Sequence, residues 1–286
     1  MAEPQSRFYS RDGVRLHYLD WGGEGRPWLV CIHGLSQQAH TFDPLARRLR
    51  DHYHVLSVDV RGRGDSDRAD PSTYALPSYV VDLLALFGDR SITGATLVGT
   101  SMGGMISIRF AREQPDLVAR VVLNDIGPAI ARAGIVRIYQ YLGSAPEDFA
   151  TLDEVVEWYR GNFPAVRALD DDQAREWVAH SVRPRGARLA WHYDPALRAQ
   201  ARAGSDALPD VDELDLDLWD AFRALACPLL ELRGAESDVL SRKTLDEMRA
   251  LQPAMEVAEV PGVGHAPLLI EPEALFALKR FLGIPD

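Results

Sequence analysis

Chemistry in this chain can start at Ser101. It sits in Gly99-Thr100-Ser101-Met102-Gly103-Gly104, directly after the apolar, β-branched run Ala95 to Val98 and directly before the helical stretch Met105 to Gln114. A strand, a turn and a helix with serine at the turn make the setting of a Gly-x-Ser-x-Gly nucleophile elbow, which holds the hydroxyl exposed above a sheet on a strained bend. At Gly99 and Gly103 a Cβ would press on the neighbouring strand or helix. Serine is a poor nucleophile at neutral pH until a base takes its proton and a third group orients that base. Among the eight histidines, His265 is the candidate base, because Pro261-Gly262-Val263-Gly264-His265-Ala266-Pro267 is a loop directly after the last predicted strand. Side chains there gather above the carboxyl edge of a parallel sheet. His17, His52, His54, His180 and His192 fall in predicted strands, helices or turns and read as structural or solvated.

For the acid, the first candidate is Asp238, in the loop after the strand preceding the last one. It lies before His265, giving the chain order serine, acid, histidine. Its rival is Asp125, at the end of the strand that follows the elbow helix. Glu236 is a third candidate and reads as a loop surface charge. Acyl transfer also needs donors for an oxyanion. The backbone N–H of Met102, next to the nucleophile, is one, and that of Leu35 in His33-Gly34-Leu35 is the other. His33 reads as a structural residue hydrogen-bonded under that loop.

These residues require a parallel sheet to bring them together. The Asp12-Gly13 pair predicts a hairpin joining Phe8–Ser10 to the alternating Val14, Leu16 and Tyr18. Strands follow at 28–32, 54–60, 95–98 and 118–123, with helices between them at 41–49, 79–87 and after the elbow, so crossovers place helices on both faces. For about a hundred residues the alternation then stops. Helices are expected at 130–142, at 152–160 behind a Thr151-x-x-Glu154 capping box, at 172–180, and from Asp194-Pro195 to 203. No convincing strand separates them; 208–217 reads as an exposed acidic linker and 218–225 as a helix. Alternation resumes with a strand at 228–233, a helix at 242–251, a strand at 255–260, and a helix at 272–282 stopped by Gly283. The chain therefore divides into a discontinuous core, 1–127 and 226–286, and an inserted α-helical cap, 128–225.

Composition narrows the class further. With 286 residues, 47 % hydrophobic and 26 % charged, the chain has enough apolar content for one large core. A formal net charge of −11 and the absence of a basic stripe argue against nucleic acid. No apolar leader core lies in Met1 to Tyr9 and no run reaches membrane-span length, so no membrane and a cytoplasmic location are expected. Cys31 and Cys227 read as small apolar fillers rather than a disulfide or metal pair. Arg63-Gly64-Asp65-Ser66 spells an integrin-recognition tetrapeptide, but without a secretory signal it has no extracellular context. No phosphate-binding glycine loop and no His-Glu-x-x-His occurs, so neither a metal nor another cofactor is expected.

His33-Gly34, Asp59 through Gly64, Gly99 through Gly104, Asp238 and Gly264-His265 together resemble the α/β-hydrolase superfamily, and the resemblance spans nearly the whole core. It implies an α/β fold with a mostly parallel eight-stranded sheet flanked by helices. It also implies a helical cap inserted between the sixth and seventh strands, with a Ser101, Asp238, His265 triad beneath it. Haloalkane dehalogenases and epoxide hydrolases resemble this arrangement but carry aspartate at the elbow, and Ser101 argues against both. A serine nucleophile makes hydrolysis of a small carboxylic ester or lactone by water, through an acyl-enzyme, the leading expectation. Meta-cleavage-product hydrolases resemble the chain at Gly99 through Gly104, so carbon–carbon cleavage of a diketone acid is an alternative, as is cofactor-free perhydrolysis. A non-catalytic ligand-binding protein on the same fold is a further alternative class. The cap aromatics Tyr139, Tyr141, Trp158, Tyr159, Phe163, Trp177 and Trp191 are candidates to line the pocket, though a small cap buries aromatics simply to hold together. A monomer or homodimer is expected.

Overall fold

The computed structural model describes residues 3–285. Among them, eight strands form one sheet: β1 (Gln5–Arg11), β2 (Val14–Asp20), β3 (Trp28–Ile32), β4 (His54–Val58), β5 (Ala95–Thr100), β6 (Val118–Asn124), β7 (Leu229–Gly234) and β8 (Glu256–Val260). Their order is β1-β2-β4-β3-β5-β6-β7-β8. The β1–β2 hairpin and the β2–β4 pair are antiparallel, and every other pairing is parallel. Asp12 and Gly13 both take positive φ, 48° and 80°, as the two-residue hairpin turn requires. β4, β5 and β7 are buried along their whole length and β3 over all but Trp28, as suits parallel strands covered on both faces.

Helices α1 (Asp43–Leu49), α2 (Leu76–Asp89) and α3 (Met102–Glu113) connect the first six strands, and α9 (Arg242–Leu251) and α10 (Pro272–Leu282) flank the last two. Gly283 ends α10 in the left-handed conformation, φ 71°, where glycine carries no Cβ penalty. Between β6 and β7 the insertion contributes α4 (Arg132–Ser144), α5 (Leu152–Asn162), α6 (Asp171–Ala179), α7 (Ala196–Ala207) and the short α8 (Trp219–Arg223). No helix of the described residues is long and apolar enough to cross a membrane.

The insertion is less purely helical than its sequence suggests. Val182–Arg185 and Arg188–Trp191 pair as a hairpin and Asp148–Phe149 adds to it, a signal hidden by three arginines and a proline on the exposed side. Segment 208–217 is not a free linker, since Glu213–Asp215 pairs with Ala129–Ala131. Glu213 also accepts from Ser241, from Thr244 Oγ1 at 2.9 Å and from Lys243 Nζ at 2.7 Å, which fastens the segment to α9. The capping box at Thr151 is half formed. Thr151 Oγ1 accepts from the Glu154 N–H, but Glu154 turns back to Ala150 N instead of its own cap.

Parallel register explains where chemistry can gather. Thr100 pairs with Asn124 and Asn124 with Leu232, so Ser101 and Asp125 are the first residues past two adjacent strands at the same edge. A third neighbour, β3, ends at Ile32 beside Gly99, and the His33-Gly34-Leu35 loop leaves from there.

Candidate active site

Ser101 leads out of β5 with φ 51° and ψ −116°, a region that side chains other than glycine rarely occupy. Contacts on both sides hold the bend. A Cβ on Gly99 would stand 2.4 Å from Gly103 O, and one on Gly103 would stand 1.9 Å from Ile32 O, so neither position tolerates a side chain. As the first residue of α3, Met102 has an N–H with no partner inside the helix, and the positive end of the helix dipole lies beside Ser101.

His265 Nε2 lies 3.0 Å from Ser101 Oγ, and its Nδ1 lies 2.8 Å from Asp125 Oδ2. With Nδ1–H donating to the carboxylate, Nε2 is free to accept the serine proton. Asp125 is fully buried, and it also sits at a positive φ, 60°. Its charge is met by three donors: the Gly234 N–H at 2.9 Å, the Ser237 hydroxyl at 2.6 Å, and His265. Its own N–H is shared between Leu232 O and Glu231 Oε1. Glu231 is fully buried on β7. Burial, and then the neighbouring Asp125 charge, push its carboxyl well above the ordinary range.

The loop opposite is held from below. His33 is completely buried, with Nδ1 2.7 Å from Gly34 O and Nε2 accepting from Val60 N at 3.0 Å. Burial pushes this imidazole down to about 4, which leaves it neutral. Arg63, also fully buried, donates to Leu35 O at 3.1 Å, Arg61 O at 2.8 Å and the Tyr79 hydroxyl at 3.1 Å. The arginine of the Arg-Gly-Asp-Ser tetrapeptide is thus committed to the interior and cannot be presented to a receptor. Arg61 forms a two-pronged buried pair with Asp82, both contacts at 2.6 Å.

Ser101, His265, Leu35 and Met102 open onto a cavity of about 270 Å³. The wall is mostly apolar, with Met105, Ile130, Ile135, Ile138 and Leu268 among its residues; among the described residues no lysine or arginine lines it.

Comparisons with known proteins agree with this architecture. The alpha/beta hydrolase family model matches residues 29–278. A 3-hydroxybutyrate-oligomer hydrolase from Cupriavidus necator is 35 % identical over 273 residues, covering 93 % of this chain and 92 % of that protein. A 2-(acetamidomethylene)succinate hydrolase from Mesorhizobium japonicum is 29 % identical over 257 residues, covering 90 % and 88 %. The crystal structure of an alpha/beta hydrolase from Novosphingobium aromaticivorans superposes with a TM-score of 0.86 at 36 % identity over 99 % of both chains. The chain belongs to the alpha/beta hydrolase family. It is an enzyme of the hydrolase class.

Within this hydrolase, the structure reverses the order of the two candidate acids as partners of His265. Asp125 makes the hydrogen bond; Asp238 does not. Asp238 lies four residues beyond the end of β7, far enough out to meet the insertion, where Arg137 of α4 grips it through Nε and through a second contact at 2.8 Å. Burial pulls the Asp238 carboxyl upward, but the Arg137 pair outweighs it and holds the group below its usual range. Glu236 lies in the same loop, away from the His265 hydrogen bonds. Of the seven aromatics expected at the pocket, Tyr139, Tyr141 and Phe163 line the cavity. Trp158, Tyr159, Trp177 and Trp191 instead pack edge to face with one another inside the insertion. Tyr74 and Tyr79, from the core, take wall positions that the sequence reading missed. Glu231 was missed as well, although an acid inside the apolar run Leu229 to Leu232 is itself a signal.

Proposed function

We propose that this hydrolase cleaves a small carboxylic ester through an acyl-enzyme, with Ser101 as nucleophile, His265 as general base and then acid, and Asp125 as the acid that orients it. The observation that carries the reading is the unbroken hydrogen-bond chain from Ser101 through His265 to Asp125, opening onto an apolar cavity. His265 Nε2 takes the Ser101 proton as Oγ attacks the ester carbonyl, and Asp125 stabilises the resulting imidazolium without itself being protonated. The Met102 and Leu35 N–H groups receive the oxyanion. His265 then returns the proton to the departing alcohol, and a water activated by the same imidazole releases the acid.

The cavity supports a compact, uncharged acyl group. An anionic substrate such as a diketone acid would ask for a cation in the wall, and the walls here offer hydroxyls, amide groups and hydrocarbon. Similarity over nearly the full length to a hydrolase of 3-hydroxybutyrate oligomers supports esters of short hydroxy acids as the first class to try. The test compares wild type with Ser101→Ala on aryl esters of graded acyl length, short 3-hydroxybutyrate oligomers, lactones and a vinylogous diketone acid. Turnover of short esters by wild type alone is the expected result. Cleavage of the diketone acid and of no ester would replace this reading with carbon–carbon hydrolysis, and full activity of Ser101→Ala would remove the serine mechanism.

A further inference from the structure

Outside the lining of the cavity at Ser101, a second cluster joins the core to the insertion. His40 and Asp43 lie on the turn into α1, and His180 caps the C-terminus of α6. The two imidazoles stack with centroids 3.6 Å apart and planes inclined by 12°. One ligand atom from each of the three residues lies within 4.8 Å of the other two. His40 Nδ1 is 2.9 Å from Asp43 Oδ2. The other oxygen, Asp43 Oδ1, is buried without any hydrogen-bond partner, although Asp43 is only 7 % exposed. A buried carboxylate oxygen left without a donor is costly, and native structures rarely leave one so. No hydrogen bond holds the His180 ring among the described residues, and the residue is exposed, so the ring can tilt out of the stack. Arg47 is 4.0 Å from Asp43, but its charge is taken up by Glu176 at 2.6 Å.

We infer that His40, Asp43 and His180 form a binding site for a divalent transition metal of the zinc class, which ties the insertion to the core. Two imidazoles and one carboxylate are a donor set suited to such an ion, whereas calcium and magnesium take oxygen ligands almost exclusively. The ion lies between His40 Nδ1 and the Asp43 carboxylate, where it also meets the unpartnered Oδ1; the ring proton it displaces from Nδ1 moves to Nε2, a tilt of the ring draws in His180, and water fills the remaining positions. A cavity of about 190 Å³ reaches two of the three ligands, His40 and Asp43, and has Arg47, Arg48 and Glu176 among its walls. Sequence spacing could not reveal this cluster, because His40 and His180 belong to different parts of the chain.

The test is thermal unfolding of chelator-treated full-length protein with added Zn²⁺. At about a hundredfold excess over Kd, a ligand of the folded state alone raises the Tm of a chain this size by roughly 5 °C. His180→Ala, which alters an exposed side chain, is expected to keep the metal-free Tm and to lose the shift. Titration with Co²⁺ is expected to give visible ligand-field absorption in wild type and none in the variant. No Zn²⁺ shift at micromolar metal, an equal shift in His180→Ala, or an equal response to Mg²⁺ would overturn the site. None of these readouts depends on which ester, if any, the enzyme cleaves.

Discussion

Replacing Glu231 by Gln tests the electrostatics behind Asp125 more directly than any change to Asp125 itself. Glu231 is fully buried on β7, with burial first and the Asp125 charge second raising its carboxyl far above the ordinary range. In the unfolded chain a glutamate titrates at about 4.3. Between that value and its raised folded value the native state holds one more proton than the unfolded state. The stability that Glu231 contributes is therefore fully present below about pH 4 and falls as pH rises toward its folded value, by about 1.36 kcal/mol per unit. Glutamine carries no such slope. It keeps an oxygen to accept from the Asp125 N–H, while its amide nitrogen takes the place of Oε2, which has no partner now, so any offset of roughly 1–3 kcal/mol is independent of pH. Urea unfolding of both proteins at pH 5, 6 and 7 gives the difference directly, because every other titrating group is common to the two. Wherever in that range the folded glutamate keeps its proton, the variant is expected to gain about 1.36 kcal/mol per pH unit relative to wild type. A difference that stays flat would mean that Glu231 is ionised in the fold, with Arg233 carrying its counter-charge, and the account of two adjacent acids sharing one ionisation would be wrong.

The two candidate acids are expected to separate sharply in turnover. Asp125→Asn should lower kcat on an aryl ester by about 10⁴-fold, the size of loss that follows from the wrong imidazole tautomer, while Asp238→Asn should stay within about tenfold of wild type; the reverse ranking would return the orienting role to Asp238. Asp82→Asn strands the buried Arg61 guanidinium and is expected to destabilise the protein by about 3–5 kcal/mol in chemical denaturation, whereas a change under about 1 kcal/mol would show that the pair is not holding the 59–66 loop.

Much of the core was legible because strong local signals agreed with the tertiary answer. The Asp12-Gly13 turn, the apolar run 28–32, the glycines around Ser101 and the Gly283 stop each imply one backbone conformation, and each is found. Helix α9 and helix α10 span the predicted residues. Legibility failed where a decision rests on distance between strands. Asp125 and Asp238 both follow strand ends, and chain order admits either. What decides between them is that Asp125 turns at φ 60° in the first position past β6, under the His265 loop, while the β7 loop runs on to Asp238 before its carboxylate points anywhere. The small strands of the insertion failed for another reason. Two to four residues with one buried face carry too little alternation to stand out among arginines.

The displaced acid still has a structural consequence, because the β7 loop serves both the hydrogen-bond chain and the cavity wall. Ser237 donates its hydroxyl to Asp125, and the next residue, Asp238, receives Arg137 from α4. Helix α4 is the one that carries Ile135, Ile138, Tyr139 and Tyr141 into the wall. It packs so closely on the loop that a Cβ at Gly134 would stand 2.4 Å from Asp238 O. The wall helix and a donor on the Asp125 carboxylate thus meet the same loop at adjacent residues. Asp238→Asn weakens the tie to Arg137 without removing any group from Asp125, so its effect should fall on KM for bulkier esters and leave kcat for the smallest ones nearly unchanged. An equal fall in kcat for every acyl length would instead place Asp238 in the proton relay, against the geometry of His265 and its two partners.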